Sequence, residues 1–153
     1  MNFGFSFVGL LFLVMLLVPN LLWSKNQPKD YEKYAKNENK TLLMLERIGE
    51  VFVCIFSLFC GINFTDLSLI LIIALILMVL YEIYWIRYFR SDRTMSDMYC
   101  DMFKIPVPGA SLPVFAFLLL GIVSENIFLM VFSVILAIGH IGIHLNHKNE
   151  ISK

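Results

Sequence analysis

The sequence predicts an all-α, polytopic membrane protein with five transmembrane helices and a short interfacial helix, in a single domain of residues 1–153. Composition is the first observation behind this prediction. Hydrophobic residues make up 59% of the chain and charged residues 16%, whereas roughly a quarter of an ordinary soluble domain is charged. The second observation is that apolar stretches of membrane-spanning length recur along the chain. The third is that the basic residues lie on one set of connections only.

Five apolar stretches are long enough to cross about 30 Å of hydrocarbon as helices. The first carries no charged residue and ends at Trp23, which is typical of an interfacial anchor. The third ends in an aromatic sequence with embedded charges, residues 81–90, which is also typical of a membrane interface. The predicted spans are residues 3–23, 42–62, 67–89, 107–123 and 127–147.

The fourth span is the least regular, because prolines and a glycine interrupt its beginning. Two interpretations stay open. The segment is either an ordinary helix that enters the membrane after a surface loop, or an interrupted segment of the kind that marks binding sites in transporters. The interrupting residues are Pro106, Pro108, Gly109 and Pro113.

The residue pattern of 94–103 predicts a helix that lies in the membrane interface and does not cross the membrane. Methionines and aromatic residues recur there at helical spacing, with acidic residues opposite them. Thr94 and Asp97 stand three apart, as in a capping box with Asp in place of Glu. The acidic face argues against a sensor of anionic lipid, so we expect this helix to fold over the neighbouring helix ends.

Charge placement predicts the orientation. All 12 basic residues lie on the first and third connections, just inside the second span, or in the C-terminal tail. The N-terminus and the other two connections have none, so the positive-inside rule places the N-terminus outside and the C-terminus in the cytoplasm. We expect a multi-pass protein of the cell membrane, and the high Lys, Asn and Ile usage suggests a bacterial source. Net charge is zero, which gives no indication of a nucleic-acid partner.

This orientation brings polar side chains from four helices to the cytoplasmic end, while the opposite half is almost entirely apolar. Ionisable residues in membrane helices usually face the bundle interior or water. We therefore expect a polar pocket that opens to the cytoplasm. Its predicted residues are Asn20, Glu46, Arg47, Glu50, Tyr81, Glu82, Tyr84, Arg87, His140 and His144.

The histidines carry the clearest chemical pattern. His140 and His144 are four apart on one helix, which lets two imidazoles reach one metal ion. Carboxylates from the second span would complete mixed ligation suited to zinc, iron or manganese. The candidate divalent-metal ligands are His140, His144 and Glu50, and the candidate catalytic carboxylates are Glu46, Glu50 and Glu82. His147 lies near the helix end, where simple solvation would explain it.

Three functions fit this pattern. The function that needs the fewest assumptions is a structural or partner-binding membrane component. Its partner would be a membrane protein or a second copy of the chain, and its polar network would be purely structural. In that network, Glu46 and Glu50 pair with arginine or histidine across helices. The alternative is a membrane-embedded, metal-dependent enzyme that acts on a lipid or lipid-linked substrate from the cytoplasmic leaflet. A proton-coupled transporter ranks third, because the extracellular half offers no polar path.

Overall fold

Helices make up most of the protein in the computed structural model, which describes residues 4–152. Those residues contain no β-strand, which confirms the all-α prediction. Residue 3, where the first predicted span begins, lies outside the described range. The α-helices are α1 (Phe7–Ser24), α2 (Tyr31–Ala35), α3 (Lys40–Leu58), α4 (Leu69–Arg90), α5 (Met95–Met98), α6 (Pro108–Val123), α7 (Ile127–Leu136) and α8 (Gly142–Ile151), and a π-helical turn, Ala137–Ile141, joins the last two.

Within residues 4–152, three helical segments are long and apolar enough to span a membrane. They are α1, α4 and the continuous helix Ile127–Ile151, which comprises α7, the π-helical turn and α8 and is called the C-terminal helix below. The sequence predicted five such helices. By length and composition α3 falls short because Glu46, Arg47 and Glu50 interrupt it, and α6 falls short because it has 16 residues.

The predicted interfacial helix, residues 94–103, is much shorter in the structure, where α5 covers Met95–Met98. Its beginning follows the prediction. The Thr94 side chain accepts a hydrogen bond from the Asp97 backbone, and the Asp97 carboxylate accepts one from the Thr94 backbone. This capping box satisfies two backbone donors that the helix itself leaves unpaired.

Side chains of α4 explain why α5 ends early. The Tyr84 hydroxyl donates to the Met98 carbonyl at 2.5 Å, and the Arg87 guanidinium donates to the Cys100 carbonyl at 2.9 Å. A longer α5 would need these carbonyls for its own hydrogen bonds. The segment after Met98 therefore lies against the end of α4 instead of continuing as a helix.

Helix α6 lies in the middle of the bundle and is its most buried long helix. Ala110, Ala116, Phe117 and Leu120 are all fully buried. The helix begins with Pro108 at its first turn, where a missing backbone N–H is tolerated. Its small residues allow α4 and the C-terminal helix to pack closely on either side.

The polar connections meet at one end of the bundle. The Tyr88 hydroxyl at the end of α4 donates to the Asn26 carbonyl at 2.8 Å. Lys148 of the C-terminal helix pairs with Asp101, which follows α5. The segment after α1, the segment around α5 and the end of the chain thus cover the same end of the helices, called the polar end below.

Candidate functional site

Three side chains from two helices converge near the polar end. The Nδ1 atom of His140 lies 2.5 Å from Oε1 of Glu46, so the C-terminal helix is hydrogen-bonded to α3. The rings of His140 and His144 are 4.4 Å apart between centroids. One potential ligand atom from each of Glu46, His140 and His144 lies within 4.8 Å of the other two. These residues are called the Glu–His–His cluster below.

Close backbone packing positions this cluster. A Cβ atom on Gly139 would lie 2.3 Å from the Glu46 backbone nitrogen and 2.6 Å from the Leu42 carbonyl oxygen. Only glycine fits at this distance, and it allows the backbones of α3 and the C-terminal helix to touch. Gly49 makes a similar contact against Leu136, where a Cβ would lie 2.6 Å from the backbone nitrogen. The two contacts set the helices close enough for Glu46 to reach His140.

The π-helical turn, Ala137–Ile141, contains both Gly139 and His140. A π-helical turn inserts one extra residue into a helix and shifts the side chains that follow it. Such turns occur frequently at functional sites. Here the turn lies where the C-terminal helix meets α3.

The cluster lines a cavity of about 270 Å³ that contains most of the predicted pocket residues. Apolar residues, mainly from α1, α4, α6 and the C-terminal helix, form the rest of the wall, so the lining combines polar and apolar side chains. The predicted residues present are Asn20, Glu46, Arg47, Glu50, Tyr84, His140 and His144. Tyr31, Glu38 and the two tryptophans also line the cavity and were absent from the predicted set.

Three predicted pocket residues lie outside the cavity lining. Tyr81 is 1% exposed and belongs to the packed core between helices. Arg87 binds the segment after α5, as described above, and its guanidinium lies 5.5 Å from the Tyr84 ring centre. Glu82 is half-buried, and its Oε1 atom has no hydrogen-bond partner among the described residues. These three side chains are close to the cavity in the sequence of their helix but do not line it.

Glu50 and Glu46 occupy different environments although they share one helix. Glu50 pairs with Arg47 at 3.2 Å, and 44% of its side chain is exposed. Glu46 is 15% exposed and faces His140. The structure therefore groups Glu46, rather than the predicted Glu50, with the two histidines. Glu46 pairs with a histidine of another helix, as expected, whereas Glu50 pairs with Arg47 of its own helix and not across helices.

His147 is buried, with 2% of its surface exposed, so the expectation of a solvated side chain is wrong. Its Nδ1 atom lies 2.8 Å from the Tyr99 hydroxyl, and its Nε2 atom lies 3.4 Å from Glu38 Oε1. The rings of Tyr31 and Tyr34 pack edge-on against the imidazole. Sequence reasoning missed this environment because the covering residues come from two distant connections.

Burial changes the acidity of two groups in the first connection. Burial, with a smaller contribution from Glu38, raises the pKa of the Tyr31 phenol to about 12. Burial also raises the pKa of the Glu38 carboxyl, with Glu46 adding to the effect and Arg47 opposing it. A carboxyl whose pKa is raised by burial is consistent with low polarity in this part of the protein.

Two indole nitrogens are buried without a hydrogen-bond partner in the described part of the chain, those of Trp23 and Trp85. Both residues line the cavity. Buried polar groups are usually paired, and an unpaired donor in a cavity wall is available to an oxygen atom of a ligand or water. The wall thus offers N–H donors in the same cavity as the two imidazoles and the carboxylate of the cluster.

The chemistry available is that of a mixed donor set in an amphiphilic cavity. Two imidazoles and one carboxylate can bind a metal ion or exchange a proton, and the indoles can donate hydrogen bonds. Comparison of the chain with family models, with curated proteins and with solved structures found no match.

Proposed function

We propose that this chain is an integral membrane protein whose cavity binds the oxygen-rich headgroup of a lipid or lipid-linked molecule. The observation that carries the proposal is the mixed polar and apolar lining of the cavity. Glu46, His140 and the unpaired Trp85 indole supply polar contacts. Leu16 and Phe117 supply apolar walls in the same space. A few convergent polar groups in an otherwise apolar wall are typical of ligand-binding pockets.

The size of the cavity indicates which part of an amphiphile it would hold. A volume of about 270 Å³ corresponds to about nine water molecules at roughly 30 Å³ each, which suits a headgroup and not a complete lipid. Leu17 lines the cavity and is also 45% exposed on the outer surface of α1. An acyl chain would therefore leave the cavity beside Leu17 and stay in the bilayer.

The proposal includes five passes through the membrane, with the polar end in the cytoplasm. At a rise of 1.5 Å per residue, α3 is about 28 Å long and α6 about 24 Å. A helix surrounded by others, as α6 is, does not need to match the full hydrocarbon thickness by itself. The basic residues on the polar connections favour the cytoplasmic side.

Reporter fusions test this topology. A phosphatase that works only outside the cytoplasm would be inactive when fused after Lys153, and a fluorescent protein that matures in the cytoplasm would be active there. Fusions in the connection after Leu58 would give the opposite pattern. An active phosphatase after Lys153 would refute the cytoplasmic position of the cavity.

Tryptophan fluorescence tests lipid binding directly, because the chain has 2 tryptophans and both line the cavity. In a Trp23→Phe variant the remaining reporter is Trp85, which is 4% exposed and screened from bulk lipid. Vesicles of a phospholipid with a nitroxide near the headgroup should quench Trp85 emission strongly. The same vesicles with the nitroxide at the end of the acyl chain should quench it weakly.

A matched pair of arginine variants serves as the control. Arg47→Gln removes a charge from the cavity wall, and Arg90→Gln removes one from the exposed end of α4. We expect weaker headgroup quenching in the first variant only. Trp85 emission that is insensitive to both nitroxide positions would overturn the proposal.

A second candidate function is a structural or partner-binding membrane component. The direct hydrogen bond between His140 and Glu46 favours it, because this bond already satisfies both groups without a ligand. In that case His140→Ala would lower the amount of protein or change its oligomeric state, while Trp85 quenching would be absent in the Trp23→Phe protein. The lipid-binding proposal expects the quenching whatever the oligomeric state.

A further inference from the structure

The Glu–His–His cluster has the composition of a metal site. We propose that Glu46, His140 and His144 bind a divalent transition-metal ion of the zinc class. Two imidazole nitrogens and one carboxylate oxygen form the three-ligand set found in catalytic zinc sites and in non-haem iron sites. The inference deepens the proposed function and rests on it, because a metal ion there would attract the oxygen atoms of a headgroup in the same cavity.

The geometry requires small movements to accommodate a metal ion. Tetrahedral zinc with bonds of about 2.0–2.1 Å separates its ligand atoms by about 3.3 Å. In the structure these atoms lie within 4.8 Å of one another, and the His140–Glu46 pair is 2.5 Å apart. Changes of about 1–1.5 Å, within reach of side-chain rotation, would bring all three to bonding distance.

The surroundings of the cluster suit a three-ligand site. Glu46 and His140 are 15% and 27% exposed, so a bound ion would be largely shielded from competing water. All three residues line the cavity, which leaves a fourth coordination position directed into it. An open fourth position is what separates catalytic zinc sites from closed structural ones.

The backbone holds the ligands before any ion binds. The contact of Gly139 with the backbone of α3 fixes the distance between the two helices at this level. His140 and His144 are on one helix at a spacing that places both imidazoles on one face. A backbone that already holds the ligands near one another lowers the cost of ordering them when a metal ion binds.

The test is metal analysis of the full chain, purified in detergent without a chelator. Elemental analysis should find about one equivalent of Zn²⁺, Fe²⁺ or Mn²⁺ per chain. After removal of metal, titration with Zn²⁺ should show one site, and Glu46→Gln and His144→Gln should each weaken it by at least about 100-fold. Glutamine at position 46 keeps the shape and a hydrogen-bond acceptor for His140 but removes the carboxylate.

Glu50→Gln is the matched control, because Glu50 is on the same helix as Glu46 but pairs with Arg47 instead of facing the histidines. Its Zn²⁺ affinity should equal that of the unmodified chain. Visible absorption after Co²⁺ substitution gives a second measurement: bands typical of a tetrahedral site should appear in the unmodified chain and in Glu50→Gln, and should be absent from His144→Gln. This spectrum reports coordination even where a variant is less stable.

Several outcomes separate this inference from the proposed function. No stoichiometric Zn²⁺ binding to the unmodified chain would overturn the metal site, and so would equal losses in Glu46→Gln and Glu50→Gln. Headgroup quenching of Trp85 that persists in the metal-free protein would uphold lipid binding alone. Metal binding without any quenching of Trp85 would support the metal site and refute lipid binding in the cavity.

Discussion

Replacement of Gly139 by alanine tests the helix contact that positions the site. The new Cβ would lie 2.3 Å from the Glu46 backbone nitrogen, where ordinary contacts are 3.4 Å or more. Because this neighbour is backbone, no side-chain rotation relieves the overlap. The C-terminal helix and α3 would have to separate by about 1 Å at this level.

The expected loss of stability follows from two opposing effects. Overpacking of this kind costs about 1–3 kcal/mol, and a contact with rigid backbone lies in the upper half of that range. Alanine in place of glycine within a helix gains about 1 kcal/mol. We therefore expect Gly139→Ala to lower the free energy of unfolding by about 1–2 kcal/mol.

Unfolding in mixed micelles with increasing SDS, followed by circular dichroism, measures this change. Zn²⁺ titration of the folded variant measures the effect on the cluster, because separation of the helices would move His140 away from Glu46. Gly9→Ala is the control, since its Cβ would lie 1.8 Å from the Ser57 carbonyl of α3, far from the cavity. It should also lower stability but leave Zn²⁺ affinity unchanged.

A Gly139→Ala variant as stable as the unmodified chain would refute the reasoning. It would mean that α3 and the C-terminal helix do not touch at Gly139. Loss of Zn²⁺ affinity in Gly9→Ala as large as in Gly139→Ala would show a general effect of lower stability instead of local displacement of His140.

Two further predictions concern the cover of the polar end. Tyr99→Phe should lower the free energy of unfolding by about 1–3 kcal/mol, because it leaves the buried His147 Nδ1 without its hydrogen-bond partner. Tyr34→Phe is the control, since the Tyr34 ring also packs on His147. It should change the SDS midpoint of unfolding little. Thr94→Ala should speed amide exchange in α5 by removing a cap worth about 1 kcal/mol. Hydrogen bonds from Thr94 lower the pKa of Asp97 below its ordinary value of 3.8, so the cap is fully stabilising above that pH and is lost as the pH falls through the lower folded value. Thr94→Ala keeps the backbone donor of residue 94 but lacks the hydroxyl. Acid should therefore lower the protection factors of the α5 amides, taken relative to the unstructured rate at the same pH, more in the unmodified chain than in Thr94→Ala, and equal acid sensitivity in both would contradict this.

The length of the apolar segments predicted the long helices because a membrane allows few other structures. With no water to pair backbone groups in hydrocarbon, long apolar segments must be helical. The structure accordingly places α1, α4 and the C-terminal helix within or close to their predicted spans. The length of the interfacial helix was overestimated from the periodicity of its methionines. That periodicity does not reveal that Tyr84 and Arg87 bind the backbone carbonyls of Met98 and Cys100.

The sequence by itself determined the residue types at the polar end and the shared helix face of His140 and His144, since these depend on local spacing. Tertiary structure alone decided which carboxylate meets them. Glu46 and Glu50 are four apart and look equivalent in sequence, but the glycine contact at Gly139 brings only Glu46 to His140. The burial of His147 could not be predicted from the sequence for the same reason. It depends on Tyr99 and Glu38, which only the fold brings next to His147. Contacts between distant segments depend on how far apart two helices lie and how each is rotated. The spacing of residues along the sequence determines neither.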